Sequence, residues 1–255
     1  MSTTSRWRNG RLVYYDTARP WAEVWPAFPG TWIRDDFLGV AGTNVAAATN
    51  WNYALDGGAA TLETVTGAHG VVKILCSATE DDSASIAGPV LCWQASRNPV
   101  MEVRLAIESA TLCGCFVGFN DAIGMAAGET AIFRTHGGAG WTTNSADAVG
   151  LVYDPHYATD LYIHGMSVKN GTDATAPVDT GVAFVANTFR TLRVELVDDG
   201  STTTAYFYVD GVLYGSLADC ITRTDPVTPM VAVFCREAND KYVYVDYIEC
   251  YEKVV

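Results

Sequence analysis

Two cysteines separated by one glycine, Cys113-Gly114-Cys115, are the first candidates for chemistry. On a strand this spacing turns both thiols to one face and supplies half of a tetrahedral metal site. A structural zinc needs four ligands, and no second close Cys or His pair accompanies them, so buried core thiols are the better reading. His69, His136, His156 and His164 are scattered over loops and strand ends. No His-Glu-x-x-His, Gly-x-Ser-x-Gly elbow or Walker loop occurs. Gly137-Gly-Ala-Gly140 lacks the following helix that a phosphate cradle uses, and reads as a turn. Two groupings set aromatic faces beside polar side chains, as ligand-binding loops do: Trp141 with Asn144 and Asp147, and Asp154 with His156 and Tyr157. Each is equally able to be loop packing or a turn cap. A different chemistry, that of docking, is concentrated near the start in Arg6, Trp7, Arg8 and Arg11, followed by Trp21, Trp25 and Trp32. Trp and Arg are the residue types that dominate interface hot spots.

The totals narrow the classes. A chain of 255 residues with 49% hydrophobic and 18% charged residues can bury a large core, and an all-β chain of this length can be one unit. The net charge of −13 argues against a nucleic-acid binder, which needs a basic stripe. Charge is uneven: residues 1–34 hold five arginines against Asp16 and Glu23, a balance of +3, which leaves −16 on the remainder. No apolar run reaches the length of a membrane helix, and Met1-Ser-Thr-Thr-Ser-Arg-Trp-Arg8 lacks the apolar core of a signal peptide, so we expect a protein retained without secretion and no membrane partner. The seven cysteines are odd in number, and in a reducing setting most are expected as free core thiols.

The elements that must position these residues are strands. Val100-Met-Glu-Val-Arg-Leu-Ala-Ile-Glu108 alternates, setting Met101, Val103, Leu105 and Ile107 against Glu102, Arg104 and Glu108. Cys113–Phe119 is apolar on both faces, which suits a central strand. Trp51–Tyr53, Ala60–Val65, Gly70–Cys76 and Pro89–Gln94 are short strand candidates. Asp160–His164 and Met166–Lys169 read as a hairpin, ended by Asn170-Gly171, and Thr142–Asp147 as a loop. Thr191–Val197, Ala205–Val209, Val212–Tyr214, Met230–Cys235 and Tyr242–Tyr251 form a terminal frame, with Asp210-Gly211 as a two-residue hairpin turn. Residues 1–34 carry four of the seven tryptophans and three of the nine prolines without a sustained period, and read as an irregular arm with one helical turn after Pro20. The expected fold is all-β, a two-sheet antiparallel jelly-roll sandwich over residues 35–255, preceded by the arm over 1–34.

Met101-Glu-Val-Arg-Leu105, Phe116-Val-Gly-Phe-Asn-Asp121, Phe189–Glu195, Phe207-Tyr-Val-Asp-Gly211 and Val245-Asp-Tyr-Ile-Glu-Cys-Tyr251, in this order, resemble the concanavalin A-like lectin/glucanase (laminin-G-like) jelly roll. Within that superfamily, Asp35-Asp-Phe-Leu-Gly39 and Thr142–Gly150 are similar to a group of tailed-phage virion proteins. The resemblance covers roughly residues 35–252 and leaves the basic arm unexplained. Family-16 glycosidases of the superfamily carry Glu-x-Asp-x-x-Glu on one strand, because retaining hydrolysis needs two carboxyls about 5 Å apart. Glu80-Asp-Asp82 is the partial match, with Ser85 in place of the second Glu, and it reads as a solvated turn. The resemblance therefore carries over no catalytic residues.

The resulting expectation is a non-enzymatic virion protein without metal or cofactor, assembled in the host cytoplasm. The preferred role is a capsid decoration protein that docks through its arm on the major capsid protein or other virion subunits and forms homo-oligomers. A carbohydrate-binding module for host attachment is the alternative, and a glycoside hydrolase is the weakest reading. The acidic outer domain would keep particles apart in solution.

Overall fold

A computed structural model describes residues 3–8, 11–16, 19–24, 32–37, 51–55, 61–65, 70–76, 79, 82–88, 91–122, 133–135, 141–143, 145–157, 161–173, 176–237 and 241–252. Where it is described, the N-terminal stretch at residues 3–24 is strand rather than irregular chain. Its strands β1 (Thr3–Arg8), β2 (Arg11–Asp16) and β3 (Arg19–Val24) pair antiparallel as a sheet of their own, with Arg8 opposite Arg11 in the register. Pro20 falls in an edge strand of this sheet, where a missing N–H need not break a ladder, so it starts no helical turn. Broken alternation hid these strands from the sequence reading.

The sandwich follows. Its first half contains β4 (Trp32–Asp35), β5 (Asn52–Leu55), β6 (Thr61–Thr64), β7 (Val72–Leu75) and β8 (Ser83–Ala87). Next come β9 (Pro99–Ile107), β10 (Cys113–Asn120), β11 (Phe133–Thr135), β12 (Trp141–Thr143), β13 (Ala148–Tyr153) and β14 (Ile163–Lys169). The last part holds β15 (Thr172–Asp173), β16 (Val178–Asp179), β17 (Arg190–Asp198), β18 (Thr203–Val209), β19 (Val212–Leu217), β20 (Thr228–Cys235) and β21 (Tyr242–Glu252). One sheet runs β15-β14-β13-β10-β20-β8-β5 with β16 beside β14, and is called the β10 sheet below. The other runs β19-β18-β17-β9-β21-β7-β6 with β4 beside β21, and is the β9 sheet. All pairings between these strands are antiparallel, as the all-β sandwich expectation requires.

Period-2 alternation explains the layering. Met101, Val103, Leu105 and Ile107 of β9, Leu192, Val194 and Leu196 of β17, and Ala205, Phe207 and Val209 of β18 face Cys115, Val117 and Phe119 of β10 and Val231 and Val233 of β20 in one core. Each fully buried Leu, Ile or Phe in it contributes about 1.5–3 kcal/mol. Asp210 and Gly211 both take positive φ, 50° and 80°, and link Val209 to Val212 as a two-residue hairpin, as their types predict.

Three local expectations are corrected. Ile163–Lys169 is one strand, with Gly165 inside it; an added Cβ there would lie 2.4 Å from the Phe207 ring, so the glycine serves packing and not a turn. Residues 91–94 contribute only an isolated bridge, Trp93 to Val227, and the strand of this region is β8, whose serines weaken its apolar signal. Trp141–Thr143 is a strand rather than loop, paired with β11.

Candidate functional site

The outer face of the β10 sheet is itself buried. Alternation that sends Cys115 and Val117 inward sends Gly114, Phe116 and Gly118 outward, beside Gly150 and Val152 of β13 and Met166 and Val168 of β14. Gly118 and Gly150 stand opposite one another, and the Phe116 ring lies over both: a Cβ on Gly150 would meet it at 2.5 Å, and one on Gly118 at 2.9 Å. Phe133 of β11 packs on Phe116, with ring centroids 5.9 Å apart, and Trp141 of β12 packs against the same cluster. The β11–β12 pair thus roofs this face, which is why β10 is apolar on both sides.

At the rim of that roof three rings meet. Trp141 and Tyr157 have centroids 4.8 Å apart, Trp141 and His164 5.6 Å, and Tyr157 meets His164 edge-on at 5.0 Å. His164 is fixed by β14, opposite Val152, and is buried, whereas Trp141 and Tyr157 are half-buried. Tyr157 is placed by Asp154: its backbone N–H donates to the Asp154 carbonyl at 3.1 Å, and the His156 N–H donates to Asp154 Oδ1 at 2.9 Å. Asp154 is held in turn by Arg236 at the end of β20, whose Nε and Nη2 donate to the two carboxylate oxygens at 2.9 and 2.6 Å. Both side chains of this pair are buried, so its two-pronged geometry is what makes the burial tolerable. Trp141 Nε1 is buried and finds no hydrogen-bond partner among the described residues, a donor whose state calls for an explanation. The arrangement can stack a flat apolar face against Trp141 and Tyr157 while polar tips bond its edge.

The sequence groupings are therefore reshuffled. Asp147 sits at the opposite end of β13 from Asp154, about 20 Å away for a six-residue strand. It is a turn lock: Oδ1 accepts from the Thr222 N–H at 2.7 Å, and its own N–H donates to Asp121 Oδ2 at 3.0 Å. Trp141 leaves that group and joins Tyr157. Asn144, Glu80, Asp81 and the glycines at 137–140 lie outside the described residues. His164 and Arg236 were missed, since a lone His within a strand and an Arg beyond one carry no motif, and the Asp154–Arg236 pair joins positions 82 residues apart.

No known protein family matches the chain, and no curated protein matches it either. Solved structures do. Peanut lectin superposes with a TM-score of 0.57 and 10% identity, over 89% of this chain and 99% of the lectin. The potassium-bound carbohydrate recognition domain of Emp46p gives 0.56 and 9% over 86% and 96%, and the Bacillus licheniformis β-glucanase 0.54 and 14% over 89% and 100%. The chain has the concanavalin A-like jelly-roll fold.

On the opposite side of this jelly roll, the outward residues of the β9 sheet form a compensated polar surface. The Tyr247 hydroxyl donates to Glu102 Oε1 at 2.8 Å; burial, and that bond to a carboxylate, push the Tyr247 phenol well up. Arg193 bridges Glu102 and Glu195, and Arg34 lies 3.6 Å from Glu249. These carboxylates were visible only as the polar side of an alternating strand.

The cysteines of the jelly roll divide. Cys76 and Cys235 form a disulfide, against the expectation for that pair, because the ends of β7 and β20 bring their Cα atoms to 6.4 Å. Cys113, Cys115, Cys220 and Cys250 are buried free thiols as expected, while Cys92 is exposed. Burial pushes Cys115 and Cys220 up to about 12. Among the described residues no group of three or more His, Cys, Asp or Glu is placed to hold a metal ion. Of the docking residues, Arg6, Trp7 and Arg8 lie on β1, Arg11 on β2 and Trp21 on β3. Trp25 is outside the described residues, and Trp32 belongs to β4, opposite Tyr251 in the β9 sheet.

Proposed function

We propose that this chain acts by binding rather than turnover, and that Trp141 and Tyr157 form a stacking platform for a carbohydrate ring. The observation that carries the reading is the convergence of Trp141, Tyr157 and His164 at the rim of the β10 sheet, with Asp154 and Arg236 fixing the loop beneath. A sugar presents apolar C–H faces to aromatic rings such as Trp141 and Tyr157. Both carboxylate oxygens of Asp154 are engaged by Arg236. Support from the fold is general: two of the superposed structures are a lectin and a carbohydrate recognition domain. A glycan array with the purified chain, followed by titration calorimetry on any hit, tests this. Tyr157→Ala should weaken binding about 30-fold, the consequence of losing a hot spot of about 2 kcal/mol. An array without hits, or an affinity unchanged in Tyr157→Ala, would overturn it.

A second reading rests on the separate N-terminal sheet. Strands β1 to β3 pair with neither sheet of the sandwich and bear Arg6, Trp7, Arg8, Arg11 and Trp21. In this reading they dock the acidic jelly roll as a decoration protein on the major capsid protein or other subunits of a tailed-phage virion, where mass action stabilises the shell. Deleting residues 2–30 should leave a folded sandwich that no longer loads onto capsids. Unchanged loading would refute the docking role.

A further inference from the structure

The staple between the sheets has a second thiol within reach. Cys76, just past β7, belongs to the β9 sheet, and Cys235 ends β20 in the β10 sheet, so their disulfide joins the two layers. Cys113 stands directly opposite Cys235 in the β10–β20 register. The Cys113 N–H donates to the Ser109 carbonyl and the Cys235 N–H to that of Asp82, so the two residues form a non-hydrogen-bonded antiparallel pair. In such a pair the Cα atoms lie about 4.5 Å apart and the side chains are at their closest, inside the window that a disulfide accepts. Both residues face the main core. The Cys113 Sγ lies 3.6 Å from the Tyr242 carbonyl, and the Cys76 N–H donates at 2.9 Å to the carbonyl of Lys241. Cys113 and Cys76 therefore flank one short piece of chain, with Cys235 reachable from each.

We propose that Cys235 exchanges partners between Cys76 and Cys113, making this corner of the jelly roll a redox-neutral disulfide switch. The Cys113 thiol gives its proton to solvent and the thiolate attacks Cys235 Sγ. A Cys113–Cys235 bond forms as the Cys76–Cys235 bond breaks, and Cys76 leaves as a thiolate that takes up a proton. One disulfide and one thiol remain, so no oxidant is consumed. The product ties two neighbouring strands of one sheet and releases β7 from the β10 sheet. Cys113 is fully buried, with Cys115, Glu108, Lys241, Tyr153 and Tyr242 as its titratable neighbours, and burial pushes its thiol well up. Exchange is consequently slow at neutral pH and proceeds when the corner opens or the solution is alkaline.

Peptide mapping tests the switch on the intact chain. Trypsin releases Cys235 on residues 224–236, Cys76 on 74–97 and Cys113 on 105–134, so the two pairings give different linked peptides, and fragmentation at Gly114 separates Cys113 from Cys115. After hours at about pH 9 and an acid quench with alkylation, about a tenth or more of Cys235 should be linked to Cys113, the share left when exchange favours the inter-sheet pair tenfold. The Cys76→Ser variant, exposed to oxidised glutathione, should form the Cys113–Cys235 bond in place of a mixed disulfide at Cys235. Wild-type protein that keeps only the 74–97 to 224–236 link, at pH 9 and also in mild urea, would overturn the proposal. So would a folded Cys76→Ser variant that gives only glutathione adducts.

Discussion

Asp154→Ala isolates the group on which both the outer face and the candidate site depend. The substitution removes two charge-assisted hydrogen bonds from Arg236, at 2.9 and 2.6 Å, together with the bond that the His156 N–H makes to Oδ1. Charge-assisted bonds contribute about 1.5–3 kcal/mol each, and breaking a buried pair from one side costs about 3–5 kcal/mol, so a loss near 4 kcal/mol is expected. For a chain of this size that corresponds to a drop of about 10 °C in Tm and about 1 M or more in the urea midpoint. Equilibrium urea unfolding followed by tryptophan fluorescence reads it directly. The double variant Asp154→Leu/Arg236→Met should recover most of the loss, because an apolar pair leaves no buried charge uncompensated. Asp154→Ala should also weaken any glycan binding, since the 154–157 loop that presents Tyr157 loses its lock. A midpoint shift below about 0.3 M, or a double variant less stable than the single one, would refute the assignment of Arg236–Asp154 as the anchor of this loop.

Gly118→Ala would place a Cβ 2.2 Å from the Val149 carbonyl oxygen, a backbone atom in a central pairing; a loss of about 1–3 kcal/mol in the same unfolding assay is expected, and a neutral result would contradict the close approach. Asp199 accepts from the N–H groups of Ser201 and Thr202, bonds that hold its carboxyl far below the usual range, and the Arg223 guanidinium lowers Asp198 beside it. Both folded values lie below the unfolded value of about 3.9, so their stabilisation is complete above that pH and is lost as pH falls through the folded values; Asp199→Asn should flatten the acid limb of a stability-versus-pH curve, and an unchanged limb would contradict this. Reduction of Cys76–Cys235, which closes a separation of 159 residues, should lower stability by up to about 5 kcal/mol on chain-entropy grounds, read as a fall in Tm of up to about 10–20 °C in dithiothreitol; an unchanged Tm would show the staple to be idle.

Much of the sandwich was legible because its strands obey one rule. β9, β17 and β18 alternate cleanly, and Asp210-Gly211 could only be a tight hairpin. Legibility failed where a second surface is buried. β10 and β13 carry apolar residues on both faces, and the sequence does not say that the β11–β12 pair supplies the outer cover. The site was half-visible for the same reason. Trp141 and Tyr157 are conspicuous by type, but they meet only because β12 crosses the sheet toward His164, and Asp154 finds Arg236 only because β13 and β20 flank β10. Nor could the odd cysteine count name the pair Cys76–Cys235, which depends on the meeting of two different sheets.

The β9 sheet closes with its last strand, and this has a consequence for how the protein is made. β21 pairs with β4, β7 and β9, so strands from residues 32–35, 72–75 and 99–107 wait for a partner that ends at residue 252. While the chain is still emerging from the ribosome, β7 and β9 present unpaired edges with a vacant slot between them, and no local hairpin can fill it. Folding of this sheet therefore waits until β21 is available. A chain truncated before β21 would be an edge-exposed intermediate that associates with its own kind, or with the nascent chains beside it, instead of maturing alone.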